Sequence, residues 1–157
     1  MFTNFLNSTQ PAIIAGIFSI IYGVFLASKI IKNPKGDNKM NQIADAISEG
    51  ANAYMKRQYT VISFIGLIIF VILYFIFGKF TAIGFAIGAV FSAIAGVVGM
   101  SIAVKSNIRT AQAAKQGLEK AFSLAFAGGS VTGFMVAGLA LLAVSGFNVG
   151  IIVLFLF

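Results

Sequence analysis

One stretch of the chain decides its fold class: GMSIAVKSNIRTAQAA, residues 99–114. The stretch begins in a glycine-studded apolar segment and continues into a basic connector rich in amides. A second apolar segment follows shortly afterwards and contains FAGGSV at residues 126–131. Two apolar helices joined by a short cationic connector are typical of a hairpin in a polytopic membrane protein. The stretch therefore predicts an all-α transmembrane fold.

The composition supports the same class. Apolar residues make up 59% of the chain and charged residues 10%, whereas a soluble domain is about 25% charged. The uncharged gaps are long enough to cross a hydrocarbon core, which takes about 20 helical residues. We predict four membrane-spanning helices within a larger helical bundle, at about residues 12–31, 61–77, 81–104 and 121–157.

The distribution of charge predicts the topology. Ten of the eleven basic residues lie in or beside the first and third connectors, and Lys79 is the exception. By the positive-inside rule these two connectors are cytoplasmic and the N-terminus is outside. The net charge of +7 does not indicate a nucleic-acid partner, because the basic residues flank membrane spans.

The acidic residues argue against an ion carrier built from these helices alone. All four acids lie in the basic connectors, and none lies inside a predicted span: Asp37, Asp45, Glu49 and Glu119. Ion and proton carriers usually place an ionisable residue within the membrane. The chain also has no histidine and no cysteine, so it lacks the commonest general base and any thiolate metal ligand.

The first connector contains a predicted helix at about residues 40–60. Met40, Ile43 and Ile47 share one face, with acids on the opposite face. We expect this helix to run into the second span and project it into the cytoplasm. The alternative is an amphipathic helix lying on the membrane, which its two acids disfavour.

The ends of the other helices are predicted from proline and glycine. Pro11 indicates a helix start and Pro34 a stop after the first span. The third helix is expected to continue to about Lys115, with Gly117 in the left-handed conformation behind it.

Small residues recur at every fourth position in the third and fourth spans. Such spacing puts them on one helix face, where small side chains let neighbouring backbones approach in lipid. We predict helix-packing sites at Gly84, Gly88, Gly96, Gly129 and Gly133. The second span is bulkier and is expected to present more of its surface to lipid.

A few polar residues in the connectors invite functional interpretations. Glu49 either pairs across the connectors with Arg109 or Lys105, or is an ordinary solvated acid. Asn107 and Arg109 either contact a phosphate or anchor the helix at the membrane interface.

Three motifs point to a family. They are ISEGANAY (47–54) followed by RQY (57–59), GVVGM (96–100) with NIRTA (107–111), and AFAGGSVTG (125–133). In this order and spacing, over roughly residues 45–145, the chain resembles the membrane-bound, cation-pumping inorganic pyrophosphatases.

The resemblance implies a large all-helical homodimer that hydrolyses pyrophosphate with magnesium at the cytoplasmic side and pumps protons or sodium ions outward. It also implies that the catalytic residues and the ion gate lie on helices beyond this chain. No catalytic residue and no metal ligand is therefore carried over. The matching residues are candidates for structural positions or for positions beside the catalytic site: Glu49, Arg57, Lys105, Asn107 and Arg109.

The residues themselves agree with that reading. Magnesium ions prefer oxygen ligands, typically carboxylates, and four acids spread over two connectors cannot build a site for several of them. We expect an N-terminal fragment that acts as a non-catalytic outer-helix scaffold, binds no cofactor, and has the bilayer and the remaining C-terminal helices as partners. It could come from a truncated reading frame, a split gene or deliberate shortening.

Two alternatives stay open at this point. The chain could be a complete small multi-span scaffold or accessory subunit. It could also be a transporter with inverted repeats, which needs a polar site at the membrane midplane. Candidates for such a site are Ser92, Ser130 and Thr132, so this alternative is weaker.

Overall fold

The chain is described by a computed structural model that covers the backbone of residues 2–156 and the side chains of residues 9–150. These residues form helices α1 (Phe2–Ile31), α2 (Asn38–Phe77), α3 (Lys79–Ala114) and α4 (Leu118–Leu156), and include no strand. Each helix contains a segment long and apolar enough to cross a membrane. The predicted all-α class with four spanning helices is confirmed.

The first three predicted spans are shorter than the helices that contain them. The first two predicted spans end at Ile31 and Phe77, as α1 and α2 do. Helix α3 continues to Ala114, and α4 begins at Leu118, three residues before the predicted span. The last residue of that span, Phe157, lies outside the described residues.

The interpretation of Pro11 as a helix start is wrong, because Pro11 lies inside α1. A proline removes one backbone N–H, and its ring crowds the carbonyl one turn earlier. Membrane helices tolerate such a break where neighbouring groups or local adjustments satisfy the freed carbonyl. A proline in an apolar segment is therefore a weaker boundary signal than it is in a soluble protein.

Glycine residues allow the two shortest connections between helices, α2 to α3 and α3 to α4. Gly78 is the single residue between α2 and α3 and has φ +85°. Gly117 has φ +125° and directly precedes α4. A residue with a side chain is strained in this region of backbone space, whereas glycine adopts it readily. Gly117 therefore stands where the sequence predicted a left-handed glycine.

Helix α2 is too long to be a simple span. Its 40 residues extend over about 60 Å at 1.5 Å per residue, about twice the thickness of a hydrocarbon core. The predicted connector helix at 40–60 and the predicted span at 61–77 form this one continuous helix. Roughly half of α2 must therefore project beyond the membrane.

The helices differ in how they are packed. Helix α4 lies between α1 and α3 and contacts both extensively, whereas α2 packs against α3 alone among the described elements. The buried core joins one side chain of α1, one of α3 and two of α4: Ile30, Ile102, Val131 and Met135. None of the residues of α2 is buried, which agrees with the exposure expected for the second span.

Close backbone contacts hold α4 in place. A Cβ atom added to Gly138 would lie 2.8 Å from the carbonyl oxygen of Gly16 on α1. On its other side, a Cβ atom added to Gly99 of α3 would lie 2.8 Å from the Thr132 side chain. Since real Cβ atoms essentially never come so close, the crossing of Gly138 over the Gly16 backbone requires glycine, whereas a side chain at Gly99 would force Thr132 to move.

The predicted packing glycines divide into two groups. Gly84 and Gly96 lie against Phe147 and Tyr59 on neighbouring helices. The other three have no atom of another residue within 4 Å of an added Cβ, so the structure describes no helix contact for them: Gly88, Gly129 and Gly133. For these three, packing against a further helix stays a prediction. The glycines at the close α1–α4 crossing, Gly16 and Gly138, were missed.

Candidate functional site

The first and third connectors meet at one end of the bundle, and Arg109 joins them. Its side chain is only 4% exposed. Nε donates to the carbonyl oxygen of Asn33 at 3.1 Å, and Nη2 donates to that of Ile31 at 3.0 Å. The last carbonyls of a helix have no partner within the helix. Arg109 on α3 therefore satisfies the open end of α1.

The burial of Arg109 distinguishes between its predicted roles. Nη1 also donates to the carbonyl oxygen of Lys105 at 2.6 Å, one turn earlier on α3. An interfacial anchor extends its charged end into the headgroups and water, but this guanidinium is held inside the bundle. Glu49 forms no ion pair with Arg109 or Lys105, because its exposed side chain lies on α2 beside Asp45 and Lys56.

A second link between the connectors involves Asp37. Its carboxylate accepts the backbone N–H of Met40 at 2.9 Å and so caps the first turn of α2. It also accepts from Lys115 Nζ at 3.1 Å. The Met40 N–H, followed by Lys115, holds the pKa of Asp37 below its usual value. Both partners of the ion pair are exposed, so its energy is modest.

A cavity of about 820 Å³ opens between α1, the end of α3 and the start of α4. Lys29, Arg109, Glu119 and Lys120 line it near the connectors. Farther along α1 and α4 its walls are apolar and aromatic: Tyr22, Leu26, Phe126 and Phe134. The cavity is therefore cationic at one end and apolar at the other.

Gln112 also lines this cavity, three residues after Arg109 on α3. Its buried Oε1 atom has no hydrogen-bond partner among the described residues and faces the first connector, where a Cβ atom added to Gly36 would lie 2.9 Å away. The sequence did not indicate that Lys29 and Lys120, which were interpreted as topology signals, face the same cavity.

The remaining candidates are not brought together. Arg57, Lys105 and Asn107 are exposed, and Arg57 lies on α2 whereas the other two lie on α3. Asn107 borders a small cavity of about 230 Å³ between α3 and the apolar face of α2 that contains Met40 and Ile47. The predicted apolar face of the connector helix is thus turned toward the end of α3.

The described residues do not fit a magnesium site. Between residues 9 and 150, no group of three or more His, Cys, Asp or Glu side chains is placed so that it could hold a metal ion. Magnesium that bridges pyrophosphate needs several oxygen ligands. The polar groups at the connectors instead bind backbone carbonyls and each other.

Comparisons with known proteins identify the family. The profile described as inorganic H+ pyrophosphatase matches residues 17–154. A K(+)-insensitive pyrophosphate-energized proton pump of Methanosarcina mazei is 48% identical over 134 residues, which is 84% of this chain and 20% of the relative. A second protein, named K(+)-insensitive pyrophosphate-energized proton pump 2 and found in Moorella thermoacetica, is 40% identical over 131 residues. These residues are 83% of this chain and 19% of the relative.

A further relative differs in the ion that its name gives. A Clostridium tetani protein, provisionally named a K(+)-stimulated pyrophosphate-energized sodium pump, is 40% identical over 122 residues, which cover 78% of this chain and 18% of the relative. The chain thus spans about one fifth of the length of the curated relatives it matches. The profile match and these identities show that the chain belongs to the inorganic H+ pyrophosphatase family.

Proposed function

We propose that the chain supplies the N-terminal helices of a pyrophosphate-energized proton or sodium pump and acts there as a non-catalytic scaffold. The observation that supports this most directly is the family match through residues 17–154 combined with coverage of about one fifth of each relative. Magnesium pyrophosphate and the pumped ion are then handled by the other helices of the pump. The intact pump is a homodimer, as the family resemblance implies.

The geometry of the described residues favours a scaffold. Arg109 donates hydrogen bonds to backbone carbonyl groups at the end of α1 and on α3, so its side chain joins these two helices. The acids do not converge on a metal site. The close crossings at Gly16, Gly99 and Gly138 fix the helices rigidly, which suits a frame against which other helices move.

In the membrane we place the two basic connectors in the cytoplasm and the N-terminus outside. The support is the concentration of basic residues in these connectors. Because the chain has no cysteine, Asn38→Cys and Gln116→Cys, both at exposed connector positions, each create a unique label site. Both should resist a membrane-impermeant thiol reagent in intact cells and react after lysis. Labelling of either position from the outside would contradict this topology.

The scaffold role is tested by complementation. The 157-residue chain is produced alone, and also together with the part of the Methanosarcina mazei relative that lies beyond the matched region. We expect phosphate release from magnesium pyrophosphate, and ion uptake into vesicles, from the combination and not from the chain alone. Gly138→Leu tests whether the α1–α4 crossing is needed. Gly66→Leu is its matched control, because a Cβ atom added to Gly66 meets no neighbouring atom within 4 Å.

Two results would contradict the proposal. Magnesium-dependent turnover by the chain alone, persisting after removal of soluble pyrophosphatase, would make it catalytic. Full activity of the C-terminal part without this chain would make the scaffold dispensable. Rescue that is lost with Gly138→Leu and kept with Gly66→Leu would show that the packed bundle, rather than the mere presence of the chain, is required.

A further inference from the structure

A buried charge at the connector end lacks a counter-ion. Arg109 is 4% exposed and forms no ion pair with a described carboxylate. Its Nε and one N–H of each terminal nitrogen donate to backbone carbonyls. A guanidinium has a second N–H on each terminal nitrogen, and neither has an acceptor among the residues that the structure describes. Burying a cation is costly unless an anion neutralises it.

The cavity beside Arg109 is suited to an anion. Lys29 and Lys120 line the same space, opposed there by one acid, Glu119, so the charge at this end is net positive. An anion in this space would pair with these cations through charge-assisted hydrogen bonds.

The rest of the cavity is suited to a hydrocarbon chain. From Lys120 to Phe134 it follows α4 for about 21 Å at 1.5 Å per residue, close to half of the 40–45 Å thickness of a bilayer with its headgroups. Tyr22 and Phe134 close one wall in an edge-to-face contact, with ring centroids 4.8 Å apart. Leu26 and Phe126 continue the apolar lining.

We propose that this cavity binds an anionic phospholipid. The phosphate lies against Arg109, Lys29 and Lys120, and an acyl chain lies along the aromatic walls. A neighbouring helix is the other conceivable occupant. Helices in membranes approach one another over small residues, and the open small-residue positions of α4, Gly129 and Gly133, do not line this cavity.

The first test measures lipid binding to the 157-residue chain. The chain is purified in an uncharged detergent and titrated with phosphatidylglycerol, phosphatidylmethanol or phosphatidylcholine, and bound lipid is counted by native mass spectrometry. We expect one tightly retained phosphatidylglycerol. Phosphatidylmethanol has the same charge and should bind about as tightly, because the cavity recognises the anionic phosphate. Phosphatidylcholine, which has no net charge, should bind least.

Variants identify the site. Lys29→Gln/Lys120→Gln should weaken phosphatidylglycerol binding by about tenfold or more, since each basic residue near a lipid surface contributes appreciably. Lys35→Gln/Lys39→Gln removes the same charge from exposed positions at the same end, outside the cavity, and should leave binding nearly unchanged.

Several outcomes would overturn the proposal. Equal retention of phosphatidylcholine would remove the anion requirement, and equal effects of the two double variants would remove the site. Displacement of the bound lipid by glycerol phosphate at similar concentration would show a site for a free phosphate rather than for a lipid. These lipid-binding measurements use the 157-residue chain alone, so their results do not depend on the result of the complementation experiment.

Discussion

Helices α2 and α4 are nearly equal in length, 40 and 39 residues, but their packing is opposite. Helix α4 buries side chains between α1 and α3, among them Val131, Met135 and Leu139. Helix α2 buries none, although its most apolar segment is the more hydropathic of the two. In a membrane, apolarity therefore does not predict which helix is buried, because lipid tails are as apolar as a protein core.

Side-chain size accounts for the difference. The second span, residues 61–77, contains a single glycine, Gly66, which meets nothing within 4 Å. Helix α4 has glycines at both of its crossings, including Gly128 against Ser106 and Gly138 against Gly16. Where helices approach closely, dispersion contacts accumulate and hold them together. A bulky helix reaches its neighbour only at isolated places, such as Tyr59 over Gly96.

The largest loss of stability is expected from changing Arg109, which joins the end of α1 to α3. Arg109→Gln removes the hydrogen bonds to the carbonyls of Ile31 and Asn33 and should destabilise the bundle by about 3 kcal/mol, because charge-assisted bonds are lost and buried carbonyls are left unpaired. Lys105→Gln, one turn away and exposed, should have little effect. Denaturation of the chain in mixed micelles measures both variants, and equal stabilities would refute the structural role of Arg109.

A matched pair within α4 sharpens the comparison between crowded and open faces. Gly138→Ala forces a methyl group against the Gly16 carbonyl and should cost about 2 kcal/mol through overpacking. Gly129→Ala has open space and should be neutral or stabilising by up to about 1 kcal/mol, since alanine favours helix. Thermal unfolding followed by circular dichroism should show a lower melting temperature for Gly138→Ala and an unchanged or higher one for Gly129→Ala. The same sign for both would contradict the described crossing.

Truncation of one side chain in each helix compares the two directly. Val131→Ala on α4, where the side chain is 0% exposed, should cost about 1 kcal/mol through lost packing, with no large transfer term in lipid. Ile68→Ala on α2, 46% exposed, should cost less than about 0.5 kcal/mol. Unfolding in detergent measures both. A larger loss at Ile68 would mean that α2 is held by contacts other than those described.

The smallest effect is expected at the ion pair between Asp37, which caps α2, and Lys115 at the end of α3. The pKa of Asp37 is lower in the folded chain than its ordinary value of 3.8, so its contribution is complete above that value. The contribution is lost as the pH falls through the lower, folded pKa. Melting between pH 5 and pH 3 should show this loss in the parent chain and a smaller one in Asp37→Asn. Identical pH profiles would contradict the link.

The connector helix shows what sequence reasoning could reach. The alternation of Met40, Ile43 and Ile47 with acids on the opposite face predicted a helix at 40–60, and the structure has one helix over Asn38–Phe77. The capping carboxylate of Asp37 and the turn at Gly117 follow from local backbone chemistry. Such features depend on neighbours along the chain, so the sequence contains the information that specifies them.

The candidate site shows where that reasoning stopped. Arg109 was singled out, but its partners are carbonyls of Ile31 and Asn33, some 76 to 78 residues away along the chain. Backbone carbonyls leave no mark in the sequence. Lys29 and Lys120 appeared as two more basic flanking residues, and only the pairing of α1 with α4 makes them face one cavity.

The sequence by itself determined the fold class and the number of spanning helices. It could do so because a bilayer requires every spanning segment to satisfy its own backbone, which leaves long apolar helices as the solution. Tertiary structure decided which faces meet. The spanning segments are apolar on all sides, so no polar face fixes how each helix is rotated about its axis. Moving a contact from Gly129 to the neighbouring Gly128 rotates it by about 100° around the helix. Only the fit of one helix surface against another selected Gly16, Gly99, Gly128 and Gly138.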